Sequence, residues 1–183
     1  MIQFTFVTSS EDKVSEAKRI LHAHLEHRNL DLPEIQAVKI EDVVSYKAQY
    51  AYTLLHEKPV IIEDTGLYLE AWNGLPGALI KWFLETVGDQ GICDMLHAFS
   101  NRRAWAKTAV ATYDGKLNIF YGEVKGRIAN EPIGEKGFGW DSLFIPDGSN
   151  KTFAQMLAEE KDGYSMRRIA FEKMKLHLSS IEP

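Results

Sequence analysis

The chain has 183 residues, 45% hydrophobic and 26% charged, with a formal net charge of −5. That supplies a sizeable core for one domain or two closely joined lobes, and the acidic balance argues against a nucleic-acid polymer as partner. A single cysteine, Cys93, excludes an intrachain disulfide and a cysteine metal cluster and points to a reducing, intracellular setting.

The first residues run into a strand pattern without the basic n-region and long apolar stretch of a signal peptide. No run approaches the roughly 18 apolar residues of a membrane span. Residues 2–8, with Ile2, Phe4, Phe6 and Val7, are expected as the first strand. Ser9 or Ser10 then caps a helix with Glu11 and Asp12 at the positive end of its dipole and an apolar stripe of Val14, Ala17, Leu21 and Leu25. A turn at 29–33 and a short strand over 35–40 lead to a helix over 41–57. The apolar run Val60-Ile61-Ile62 reads as a strand covered on both faces, ending in the acidic turn Glu63-Asp64-Thr65-Gly66. A Gly/Pro loop at 73–77 opens onto helices over 80–87 and 90–99. Strands over 104–113 and 117–128 follow, joined by Asp114-Gly115, a strong hairpin signal. A glycine-rich loop at 134–139, a last strand at Phe144-Ile145 and a helix over 166–178 complete the chain. Alternation followed by a hairpin predicts an α/β fold: a mixed, elongated central sheet flanked by helices, with the hairpin in a second, smaller lobe.

Chemistry-bearing residues collect where strands stop. Thr8, Ser9 and Ser10 offer a hydroxyl-rich helix start to an anion and Lys13 adds a charge; taken alone this is equally a capped helix with a surface lysine. In Glu63-Asp64 the side chains should point to opposite faces, so one carboxylate enters a given site. Asp64 follows the strand into the loop, where a carboxylate holds a hard cation or takes a proton from water; the alternative is an Asx turn with Thr65. Glu34, before a strand, is a second metal carboxylate or a solvated loop residue. Lys47, in an apolar-leaning helix, reaches a phosphate or snorkels to water. Lys81, after the loop at 73–77, repeats the theme of tight loop, helix start and lysine. Phe138, Gly139, Trp140 and Asp141 place aromatics and a carboxylate among glycines, suited to a planar base or to the core. Lys161, Ser165 and Arg167 read most simply as a solvated loop and a helix start. His22, His24 and His27 read as solvated helix residues. Walker A, His-Glu-x-x-His and nucleophile-elbow patterns are absent.

In this order, Thr8-Ser9-Ser10-x-x-Lys13-x-x-Glu16, Pro33-Glu34-Ile35-Gln36, Lys47-Ala48, Glu63-Asp64-Thr65-Gly66-Leu67, Gly74-Leu75-Pro76-Gly77, Phe138-Gly139-Trp140-Asp141, Thr152-Phe153-Ala154-Gln155-Met156 and Ser165-x-Arg167 span nearly the whole chain. Together they resemble the inosine triphosphate pyrophosphatase family, the house-cleaning purine NTP pyrophosphatases. Two positions depart from the family pattern: Ser10 stands where it has Asn, and Met166 where it has His. A serine donates with shorter reach, and a methionine cannot hydrogen-bond as an imidazole does.

The resemblance implies one NTP pyrophosphatase domain over residues 1–183, as a single body or as two lobes with the active site in their cleft, working in the cytoplasm as a homodimer. It implies hydrolysis of ITP, dITP or XTP to the monophosphate and pyrophosphate by water attack on the α-phosphorus. Mg²⁺ is the implied cofactor, held by Glu34 and Asp64, with Asp64 also activating the water. Phosphates fall to Thr8, Ser9, Ser10, Lys13, Lys47, Thr65 and Lys81. The base stacks on Phe138 beside Gly139 and Trp140, and Asp141, Lys161, Ser165 and Arg167 read its edge. Two competing readings are a nucleotide-binding regulator that has lost turnover and a phosphatase acting on the terminal phosphate.

Overall fold

The computed structural model describes residues 3–22 and 25–181. The strands β1 (Thr5–Val7), β2 (Glu26–Arg28), β3 (Val60–Leu69), β4 (Pro76–Gly77), β5 (Arg103–Tyr113), β6 (Leu117–Ile128) and β7 (Phe144–Pro146) build one seven-stranded sheet in the order β2-β1-β3-β5-β6-β7, with β4 also pairing β3. β1 is parallel to both its neighbours, and every pairing from β3 onward is antiparallel. The helices are α1 (Glu11–Leu21), α2 (Ile40–Leu54), α3 (Ile80–Thr86), α4 (Gly88–Met95), α5 (Ala158–Gly163) and α6 (Met166–Ile181). The expected mixed α/β sheet flanked by helices is what forms. Among the described residues no helix is long and apolar enough to cross a membrane.

The period-two geometry of β3 and β5 divides the core. Phe6, Ile61 and Val110 face α1 and α6, meeting Val14, Ala17, Phe171 and Met174. Val7, Val60, Ile62, Ala109 and Ala111 face the other way, onto Val44, Ala48 and Ala51 of α2. Farther along, Leu67, Leu69, Ala104 and Ala106 gather the α3–α4 residues Ile80, Ile92 and Leu96 with Trp140, Phe144, Phe153 and Met166. Each fully buried Val, Leu, Ile, Phe or Met side chain among them contributes about 1.5–3 kcal/mol.

Several expectations are corrected. Residues 35–39 carry no strand; the parallel edge strand comes earlier, at Glu26–Arg28, and its polar sequence fits a strand half open to water. Its partner β1 defines it, not its own pattern. Leu25, assigned to the first helix, lies beyond His22, which ends α1 in the left-handed conformation. Glu63-Asp64-Thr65-Gly66 is no turn: β3 continues through it, because β5 pairs all ten residues from Val60 to Leu69. α5 forms where a solvated loop was read. Ile2 and His24 lie outside the described residues.

Candidate active site

β1 and β4 lie along the same edge of β3 but do not meet. Between the registers Phe6↔Ile61 and Leu67↔Gly77, residues 63–66 have no strand partner on that side. A cavity of about 440 Å³ opens at this step, walled by the turn at 8–10, the loop at 30–35, α2, β3, the start of α3, the loop at 138–141 and the start of α6. Thr8, Ser9, Ser10, Lys13, Glu34, Lys47, Asp64, Thr65, Lys81, Phe138, Gly139, Trp140, Asp141 and Arg167 all line it; Lys161 and Ser165 do not.

Alternation along β3 sorts its two acids as expected. Glu63 shares the α1/α6 face with Ile61, and Asp64 shares the α2 face with Ile62. Lys13 stands off the strand edge between them. Its ammonium is 2.9 Å from Glu63 Oε2 and 3.7 Å from Asp64 Oδ1, and it donates to the Glu63 carbonyl at 3.3 Å. The helix start places it there: Ser10 Oγ accepts from Lys13 N at 3.3 Å as the N-cap of α1. The turn is braced from behind by His27, on β2 and not on a helix, whose Nε2 lies 2.9 Å from the Thr8 carbonyl oxygen.

On the α2 face, Lys47 donates to Asp64 Oδ2 at 2.9 Å and to Glu34 Oε1 at 2.6 Å, and Lys81 lies 3.8 Å from Glu34 Oε2. The Lys47 side chain is buried, which by itself lowers the affinity of its ammonium for a proton. Asp64 and Glu34 outweigh that and hold its pKa above the ordinary lysine value. Its head is turned to carboxylates, not to water. Among the described residues no three His, Cys, Asp or Glu side chains converge as a metal site. Glu34 and Asp64 meet through the Lys47 ammonium.

The α1/α6 face carries a buried chain of alternating charge. Arg167 donates through Nε to Glu63 Oε1 at 3.2 Å, through Nη2 to Thr65 Oγ1 at 3.2 Å, and through Nη1 to Glu16 Oε2. Lys161 donates to Glu16 Oε1 at 2.9 Å and to Asp141 Oδ2 at 2.6 Å. The same Asp141 oxygen accepts from Phe138 N at 2.9 Å. Gly137 makes this approach possible, since a Cβ there would collide with the Asp141 carboxylate. Burial pushes Glu63 up, but Arg167 and Lys13 overcome it and bring its pKa to about 2. Burial acts on Glu16 likewise, and Arg167 and Lys161 hold it below the carboxylate range. For Asp141 burial wins over Lys161, and its pKa is raised.

Phe138 is half-buried, with Lys161 Nζ 5.1 Å and Arg167 Cζ 5.4 Å from its ring centroid. Trp140 is 6% exposed and packs edge-on to Phe144 at 5.7 Å, so its ring belongs mainly to the core. Ser165 Oγ accepts from Arg168 N at 3.1 Å, fixing the start of α6 behind the wall. Two residues of the site were given no role from sequence, Glu16 and Glu63. The signal for Glu16 was a carboxylate beside Ala17 in the apolar stripe of α1, where an unpaired acid is rare.

The Ham1 family matches residues 4–177. Inosine triphosphate pyrophosphatase 1 of Trypanosoma cruzi is 42% identical over 94% of this chain and 90% of that protein. The dITP/XTP pyrophosphatase of Methanopyrus kandleri is 41% identical over 92% of each. The solved structure of the Staphylococcus aureus Ham1 protein superposes with a TM-score of 0.78 at 27% identity, covering 97% of this chain and 100% of the other. The likeness runs over nearly the whole chain, which belongs to the Ham1 family.

Proposed function

We propose that this chain is a nucleoside triphosphate pyrophosphatase, hydrolysing noncanonical purine nucleotides of the ITP, dITP and XTP type to the monophosphate and pyrophosphate. The reading is supported by the relatives' names and by one observation above all: the cavity has two chemically different ends. One carries Lys13, Lys47 and Lys81 against Glu34 and Asp64, suited to a triphosphate. The other carries the Phe138 ring beside buried Arg167, suited to a planar base.

The donor set fits Mg²⁺, which is commonly held by one or two carboxylates with phosphate and water oxygens completing its shell; Glu34 and Asp64 would supply the carboxylates. When bound, the ion neutralises phosphate charge. Asp64 orients the attacking water and takes its proton. The water oxygen bonds to the α-phosphorus as the bond from that phosphorus to the β-bridging oxygen breaks, and pyrophosphate leaves. Lys13, Lys47 and Lys81, with the backbone N–H groups near Ser9 and Ser10, hold the phosphates, Thr8 and Thr65 adding hydroxyls.

The base stacks on Phe138. Arg167 has five N–H donors, of which one each goes to Glu63, Glu16 and Thr65, leaving two for a purine acceptor. Hypoxanthine and xanthine present an acceptor at the 6-position where adenine presents a donor, so adenine would leave buried donors unmatched. Asp141 lines the same end, and Lys161 acts through it.

The test is a panel of nucleoside triphosphates with Mg²⁺, reading pyrophosphate and orthophosphate separately. Pyrophosphate with inosine or xanthosine monophosphate is expected. Orthophosphate alone would make the chain a phosphatase, and ITP binding without product would make it a regulator.

A further inference from the structure

α5 is six residues long, too short to hold itself as a helix in water, and Lys161 is its one buried residue. Yet Lys161 must sit to within a few tenths of an ångström to reach both Glu16 and Asp141. Something outside the active site has to fix the position of α5. α1 presents Glu16 and Arg19 three residues apart, on one side of the helix. Glu16 takes Lys161 at 2.9 Å, and Arg19 takes the next residue, Asp162, in a two-pronged grip: Nε to Oδ2 at 2.7 Å and Nη2 to Oδ1 at 2.8 Å. The two rungs have opposite polarity. A one-residue slip of α5 against α1 in one sense would set Glu160 toward Glu16 and Lys161 toward Arg19, like charge on like in both rungs; in the other sense it would set Asp162 toward Glu16 and leave Arg19 facing Gly163. The arrangement therefore favours one register and repels its neighbour.

We propose that Arg19 and Asp162 are positioning residues for base selection: their paired contact sets the register of α5, and through Lys161 and Asp141 it places the Phe138 loop. The path runs from Asp162 to the adjacent Lys161, on to Asp141 Oδ2 at 2.6 Å, and from that oxygen to the Phe138 backbone at 2.9 Å. Both side chains of the pair are partly open to solvent, so its contribution to global stability is small. Its effect is local and lands on the base end. The phosphate end lies farther along the network: α5 reaches Lys13 only through Glu16, Arg167 and Glu63 in turn, so less of the effect is expected there.

This inference rests on the pyrophosphatase reading, and the experiment separates the two. Wild-type protein is first assayed for pyrophosphate release from ITP; failure there sinks the reading itself. Arg19→Met, Asp162→Asn and the double variant are then compared for kcat/KM on ITP and on ATP. Each single variant is expected to lower the ITP/ATP ratio roughly threefold to tenfold, with kcat on ITP within about twofold of wild type. The double variant should fall no further than the singles, since one contact is lost in all three. Arg19→Lys keeps the charge without the fork and should restore part of the ratio. An unchanged ratio in the singles, additive losses in the double variant, or unfolding of both singles would overturn the positioning role.

Discussion

The two faces of β3 each carry one carboxylate, and they hold it in opposite ways. The Glu63 side chain is fully buried and gripped by Arg167, Thr65 and Lys13, while Asp64, one residue on, keeps 16% of its side chain open and meets Lys47, which it shares with Glu34, and more distantly Lys13. Glu63 can stay ionised only while those partners remain, since an unpaired buried charge costs several kcal/mol. Lys47, the nearer partner of Asp64, is exchangeable on the proposed reading: substrate phosphate can take it over while Asp64 keeps its opening to solvent, whereas Lys13 also serves buried Glu63. On the proposed reading, one face gives the site its shape and the other carries turnover.

The largest effect should come from breaking the dry face. Arg167→Met removes the guanidinium that Glu63 and Glu16 share, leaving two buried carboxylates one cation each, and is expected to cost about 3–5 kcal/mol, lowering Tm by more than roughly 6 °C in a chain of this size. A variant that melts with the wild type would mean the network is not a structural unit. Acid should weaken the same face. The folded pKa of Glu63, about 2, lies below its ordinary value of 4.5, so its contribution is full above that ordinary value and is lost as pH falls toward 2. The loss amounts to at most about 3 kcal/mol. Asp141, whose pKa is raised, acts in the opposite sense and is relieved by protonation. Denaturant titrations of wild type and Glu63→Gln between pH 6 and about 2.5 check this; equal acid slopes would remove Glu63 from the account.

The wet face should fail differently. Asp64→Asn is expected to lower kcat by at least ~10²-fold while the melting temperature stays near wild type. If it stays active, Glu63 becomes the candidate carboxylate. The smallest effect is at Met166, which is 2% exposed, sits in the core group with Trp140 and also lines the cavity. Met166→His should raise the kcat/KM preference for ITP over ATP by roughly twofold to tenfold, the worth of one hydrogen bond, and lower Tm by a few degrees. An unchanged ratio with a lowered Tm would leave Met166 a packing residue only.

What was legible in sequence follows from how locally each feature is determined. The hairpin of β5 and β6 was placed to within a residue because alternation and Asp-Gly are local signals. The helix start at Ser10 was equally local. β2 was missed because Glu26–Arg28 is a strand only by virtue of lying beside β1. The turn expected at 63–66 is a strand because pairing with β5 overrides its polar sequence. Opposite facing of Glu63 and Asp64 followed from period two alone. That both would nevertheless meet Lys13 did not, because that needs the position of α1 off the strand edge. Lys161 and Arg167 looked solvated, since nothing along the chain announces that Glu16, some 150 positions away, lies between them.

The unpaired stretch of β3 between β1 and β4 has a consequence for solubility. A sheet edge with open N–H and carbonyl groups is a template on which another chain can dock as an extra strand. Here the edge is guarded: Lys13 occupies the Glu63 carbonyl, Asp64 turns its own Oδ1 back onto Thr65 N at 2.8 Å, and charged side chains crowd the rest. Replacing Lys13 with Leu and Asp64 with Val together should raise light scattering during refolding; scattering at the wild-type level would show the edge needs no guard. The charges that would grip a triphosphate thus also keep the open strand from recruiting a neighbour.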